Sequence, residues 1–143
     1  MSGPEAIRSI VIAFDGSPSS TRALRLALAL AEGAGAHLYL VHARERDPER
    51  AEPATEEEVR SAEEAIAAAV AGWAERARER GVPFTPVWRD ADAVPAILAV
   101  AHEVETDLVV LGTRGLRPLP RAWLGSVSAR VLERAQRPVT VVP

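Results

Sequence analysis

Lysine and cysteine are both absent from this chain. Every one of its 17 basic residues is an arginine, so chemistry that needs a lysine amine is closed to it: a Walker phosphate lysine, a Schiff base, a lysine general base. That excludes the P-loop NTPases, whose signature requires Gly-Lys-Ser/Thr. Without cysteine there are no disulfides and no thiolate metal sites, and nothing about redox compartment can be read from thiols. Aromatics are scarce too, with three Trp, two Phe and one Tyr, while 48% of residues are apolar; the core must be built from Ala, Val, Leu and Ile. Long apolar runs are lacking. The longest apolar-rich stretch, Ala65 to Ala74, is far short of the ~20 residues of a membrane span. The opening MSGPEAIRS has no basic start followed by an apolar run, so no signal peptide is expected and the expected location is the cytoplasm. A net charge of −3 argues against broad nucleic-acid binding, which needs a clustered positive field.

What is present alternates. At 143 residues the chain is expected to be one domain, 1–143, with enough length to bury a core. Ile10 to Phe14 is a short β-branched run ending in Asp15-Gly16-Ser17-Pro18, a strand followed by a turn. Ser17 is placed to cap a helix with Pro18 in its first position, where the missing N–H costs nothing. Leu24, Ala27, Leu28 and Ala31 form its apolar stripe, and Gly33 and Gly35 are expected to end it. His37 to Ala43 predicts a second strand, and Arg44 to Ala54 an exposed loop. Thr55 and Glu58 make a capping box before a long helix whose face runs through Val59, Ile66, Val70, Trp73 and Ala77, stopped by Gly81 and Pro83. Phe84 to Arg89 is a third strand, and Pro86 assigns it to a sheet edge. Asp92 is expected to cap a third helix with Val94, Ile97, Leu98 and Ala101 inward. Asp107 to Gly112 carries no polar side chain after its first residue, as a central parallel strand buried on both faces should. Ser126 opens a fourth helix with Val127, Val131, Leu132 and Ala135, and Pro138 to Val142 is the last strand. Strands alternating with helices imply an α/β fold: a five-stranded parallel sheet with four helices on both faces.

In such a sheet ligands bind beyond the carboxyl ends of the strands, where strand order reverses. Two strands end in unusual residues, the first in Asp15-Gly16-Ser17 and the fourth in Gly112-Thr113-Arg114-Gly115. Gly112 and Gly115 would let a ligand approach the backbone closely. Gly125 and Ser126 open the last helix, an end that carries free N–H groups and a partial positive charge suited to phosphate. Ser126 and Ser128 add hydroxyls. Leu116 to Leu124 would form a flap, and Arg114, Arg117 and Arg121 could supply the charge that lysine supplies elsewhere. The same features also read as structural punctuation: glycines after a strand, and a Gly-Ser helix cap with Ser126 as the capping residue. Asp15 is either a carboxylate facing the ligand or a turn residue capping a nearby N–H.

The spacing Gly112, Gly115, Gly125, Ser126 — Gly, two residues, Gly, nine residues, Gly, Ser — resembles the motif of the universal stress protein family. The similarity extends over IVIAFDGS, LYLVHA, DLVVLGTRG, LGSVSARVL and RPVTVVP, nearly the whole chain. The resemblance implies a Rossmann-like fold of the adenine nucleotide alpha hydrolase type with strand order 3-2-1-4-5, and binding of ATP, AMP or another adenine nucleotide. It implies that Ala13 and Asp15 border the ribose and any Mg2+ bound with the nucleotide, and that Ala43 presents its backbone to adenine. It places Gly112, Arg114 and Gly115 along ribose and phosphates, and Gly125, Ser126, Val127 and Ser128 on the phosphates. It implies a homodimer through the last strand, Pro138 to Val142. Pro118 and Pro120 in the flap, and the DADAVPA start of the third helix, depart from the family pattern.

Three functions follow: a nucleotide-binding regulatory protein acting as a dimer, a slow ATPase of the same fold, and a partner-binding dimer without nucleotide. No evident general base for efficient hydrolysis is present. His37, His42 and His102 show no metal-ligand spacing, and His42 is expected to be a packed strand-end residue. Ser126 is not a nucleophile elbow, because GxSxG is absent. Arg60, Arg76, Arg78 and Arg80 are expected to pair with neighbouring glutamates. A response regulator would need a late lysine, and an FMN site would want aromatics beside the flavin.

Overall fold

The computed structural model describes residues 5–44, 54–113 and 124–143. The elements are β1 (Ser9–Ala13), α1 (Pro18–Ala34), β2 (His37–Ala43), α2 (Glu56–Glu79), β3 (Phe84–Arg89), α3 (Ala93–Glu103), β4 (Leu108–Gly112), α4 (Ser126–Arg134) and β5 (Val139–Val142). All five strands are parallel, in the order β3-β2-β1-β4-β5. The strand order therefore reverses between β1 and β4, and β3 with its Pro86 lies at an edge, as the sequence predicts.

Period-two alternation distributes the strand side chains between two helical layers. Ile10 and Ile12 of β1 join Leu24, Leu28, Leu38, Leu40, Trp73 and Val110 under α1 and α2. Val11 faces the other way, with Val41, Ala96 and Val100, and Val109 and Leu111 of β4 meet Val94, Ile97 and Val131 beneath α3 and α4. Large aliphatic side chains such as Leu24 and Leu38 are fully buried, each worth about 2 kcal/mol relative to exposure.

Helix ends match their chemistry, with exceptions. Ser17 caps α1 by accepting from Ser20 N–H, and Thr55 caps α2 by accepting from Glu58 N–H. Gly35 alone ends α1, in the left-handed conformation at φ 68°; Gly33 lies inside the helix and does not end it. Asp92 stands at the N-cap of α3, but its carboxylate makes no capping hydrogen bond. Gly125, not Ser126, is the N-cap of α4, because the chain takes its extended conformation one residue earlier, at φ −66° and ψ 160°. The apolar faces of α2 and α4 are shorter than their periodicity predicts. Val59 and Leu132 are exposed, and the buried residues of α2 begin at Val70. Of the α2 arginines, Arg60 and Arg78 pair with Glu57 and Glu75, and Arg80 with Glu32 across to α1. Arg76 instead lies over the Trp73 ring, 4.5 Å from its centroid. No described helix is long and apolar enough to cross a membrane.

Candidate functional site

The carboxyl ends of β1 and β4 open side by side where the two halves of the sheet diverge. Asp15 leaves β1 and turns back on itself: its Oδ1 accepts the Ser17 N–H at 2.8 Å. The turn role is thus present, with Oδ1 engaged in it. Gly16 follows at φ 82°, a conformation that other residues reach only with strain, and brings the chain under Ile66 of α2.

On the β4 side the helix start is bolted to the strand end. Ser128 Oγ donates to Gly112 O at 2.6 Å, and Gly125 N–H donates to Thr113 O at 2.5 Å. The Gly125 N–H is therefore already spent. Because a glycine caps α4, no side chain closes its first turn, and the N–H groups of Ser126, Val127 and Ser128 have no capping partner among the described residues. Ser126 is exposed at the mouth; Gly125 and Ser128 are buried. Ala13 and Val127 pack against the same cluster as Val94 and Leu111, which brings the β1 end and the α4 start together.

The absent Cβ of Gly112 has a different use from the one its sequence context suggests. A methyl there would meet the Ser19 carbonyl carbon at 2.8 Å and the Ser19 side chain closer still. The space is taken by α1, so this glycine serves the close approach of helix to strand rather than that of a ligand to the same side of the backbone. Ser19, which fills that space from α1, carries no sequence signal, and Thr113, inside the glycine-bracketed stretch, is not singled out there for the backbone role it plays.

The third wall is the end of β2. His42 is buried, its Nδ1 2.9 Å from Phe14 O and its Nε2 3.2 Å from Glu63 Oε1 on α2. A carbonyl oxygen only accepts, so Nδ1 carries hydrogen. Glu63 Oε2 lies 3.2 Å from Arg44 Nε, and the Trp88 ring meets the His42 ring edge-on at 5.6 Å. His42 is thus the packed strand-end residue the sequence predicts. Beside it, Ala43 is partly buried against Val11, Val41, Ala96 and Val100.

Arg114 and Gly115, with Arg117, Pro118, Pro120, Arg121 and Trp123, lie outside the described residues, as does residue range 116–123 of the flap. Leu124 at its end is exposed. Among the described residues no group of three or more His, Asp or Glu is placed to hold a metal ion.

A Rossmann-like sheet with this strand order and a glycine-opened helix at its reversal point matches a known group. The model of the Universal stress protein family matches residues 6–143. The chain belongs to the universal stress protein family. It is 36% identical to the Universal stress protein in QAH/OAS sulfhydrylase 3'region of Thermus aquaticus, over 94% of this chain and 98% of that one. Among solved structures it is similar to a universal stress protein from Burkholderia pseudomallei, with a TM-score of 0.74, 28% identity and 98% of each chain covered. It is similar also to a universal stress protein solved in complex with cAMP, with a TM-score of 0.67, 29% identity and coverage of 97% of this chain and 98% of that one.

Proposed function

We propose that this universal stress protein is a cytoplasmic regulatory protein that binds ATP or another adenine nucleotide in the crevice between β1 and β4 and acts as a homodimer through β5. The observation that carries the reading is the start of α4. Three successive residues, Ser126, Val127 and Ser128, present N–H groups that have no capping partner among the described residues at the carboxyl end of β4, where an anion gains both the hydrogen bonds and the positive end of the helix dipole. Such a cradle grips phosphate without an ammonium group, which a chain without lysine requires. Gly115 and Arg114 belong to the same proposed cradle through the glycine motif, with Ala13 and Asp15 toward the ribose and an accompanying Mg2+, and Ala43 toward the base. A similar family member was solved with cAMP, an adenine nucleotide, which supports the ligand class. The reading gives the protein binding rather than turnover as its main activity.

Calorimetric titration with ATP tests this, with Gly115→Val and Ser126→Ala alongside. Weaker binding in both variants, about tenfold or more for Gly115→Val, is expected. Equal affinity in all three proteins, or none in the wild type, removes the assignment, and phosphate release followed in the same samples reads out any hydrolysis.

A further inference from the structure

The ladder between β1 and β2 stops one bond early. Val41 O accepts the Phe14 N–H at 2.9 Å, so Val41 turns its backbone groups toward β1. Backbone groups face the same neighbour at every second residue, so Ala43 turns its N–H and C=O that way as well. The parallel pattern would next give the Ala43 N–H to Phe14 O. No such bond forms among the described residues; Phe14 O takes His42 Nδ1–H at 2.9 Å instead. Glu63 holds the opposite edge of the ring and Trp88 packs beside it, so the imidazole is fixed in that role.

We propose that His42 is a positioning residue for base recognition: with its ring seated on Phe14 O between Glu63 and Trp88, it holds the end of β2 so that the Ala43 N–H and C=O, which make no bond to β1 among the described residues, stay open to a ligand at the strand ends, where they match the adjacent donor and acceptor of an adenine edge. The proposal rests on the nucleotide reading above. Adenine offers its amino group to the Ala43 carbonyl and a ring nitrogen to the Ala43 N–H. Guanine in the same pose sets O6 against that carbonyl, two acceptors face to face, so the site selects adenine.

The test is His42→Phe, which keeps a ring against Trp88 but removes the donor, with His42→Asn returning an N–H near the Nδ1 position. In nucleotide-free protein the Ala43 amide, followed by NMR hydrogen exchange, is expected to exchange fast in the wild type. It slows about tenfold or more in His42→Phe as Phe14 O recaptures it. ATP affinity falls about tenfold in His42→Phe while affinity for inorganic tripolyphosphate stays within about twofold, and His42→Asn restores most of the ATP affinity. A slowly exchanging Ala43 amide in the wild type overturns the proposal without any variant. Parallel losses for ATP and tripolyphosphate overturn it as well. If the wild type binds no ATP at all, the nucleotide reading fails on its own, and the exchange of Ala43 still decides what His42 does to the strand end.

Discussion

Gly112 at the end of β4 lies directly beneath Ser19 in the first turn of α1, so that a Cβ on Gly112 would stand 2.8 Å from the Ser19 carbonyl carbon. Backbone cannot swing aside as the tip of a side chain can. α1 is also capped at Ser17 and leads back through Gly16 to β1, so pushing it outward disturbs the whole β1–β4 junction. Gly112→Ala is therefore expected to cost about 1–3 kcal/mol of stability, measured by urea unfolding. An unchanged midpoint would mean that α1 is not seated on β4 as closely as found.

The Gly16–Ile66 contact makes a prediction in two parts. A Cβ on Gly16 would meet Ile66 Cδ1 at 2.6 Å, and φ is 82°. The first cost depends on one methyl group; the second does not. Gly16→Ala should destabilise by about 1–2 kcal/mol, mostly from the backbone conformation. In an Ile66→Val background, which lacks Cδ1, the same substitution should cost less but still about 1 kcal/mol. A double-mutant cycle by thermal or urea unfolding measures the difference. Perfect additivity would place Ile66 elsewhere.

Much of this architecture is legible in the sequence because it rests on local chemistry. Ser17-Pro18, Thr55 with Glu58, and Gly35 punctuate their helices by rules that hold within four residues. The unbroken apolar run Leu108 to Leu111 announces a strand covered on both sides. What stayed hidden depends on residues distant in sequence. Ser19 touches Gly112 across 93 positions of chain and explains a glycine whose motif suggests a ligand. Likewise, the periodicity of α2 cannot tell that Val59 is left exposed, while Glu63 and Ile66, one turn apart, reach His42 and Gly16. At α4, pattern locates the helix start but not which residue caps it, since the capping conformation is a backbone property that Gly125 and Ser126 can each adopt.

His37 gives a pH dependence with a definite sign. It stacks on Tyr39 with ring centroids 4.1 Å apart, its Nε2 is 2.7 Å from Thr85 Oγ1, and burial lowers its pKa below the ordinary 6.5. The folded protein thus favours the neutral ring. As pH falls below about 6.5 the unfolded chain takes up the proton before the folded one, so this residue's effect on stability is absent above that pH and becomes destabilising below it. His37→Gln removes that titration. The drop in melting temperature between pH 7.5 and pH 5.5 should be smaller in the variant than in the wild type; an equal or larger drop would contradict the assignment.

The last strand offers a test of the proposed dimer that spares the fold. Val109 N–H donates to Pro138 O and Thr113 N–H to Val142 O, which fixes the parity of β5. With Val109 paired to Val139 in the register, Thr140 and Val142 turn their backbones toward β4, while Val139 and Val141 turn theirs outward. That outward row is an open sheet edge of apolar residues, the kind of surface that pairs with another chain. Val141→Pro deletes one outward N–H without removing a bond to β4, and its ring blocks approach from that side. If two copies join through β5, the wild type sediments as a dimer and Val141→Pro as a monomer with nearly the same circular dichroism spectrum. A variant that still sediments as a dimer would move the interface away from β5, and a monomeric wild type at high micromolar concentration would remove the dimer from the proposed function while leaving the crevice between β1 and β4 as it is.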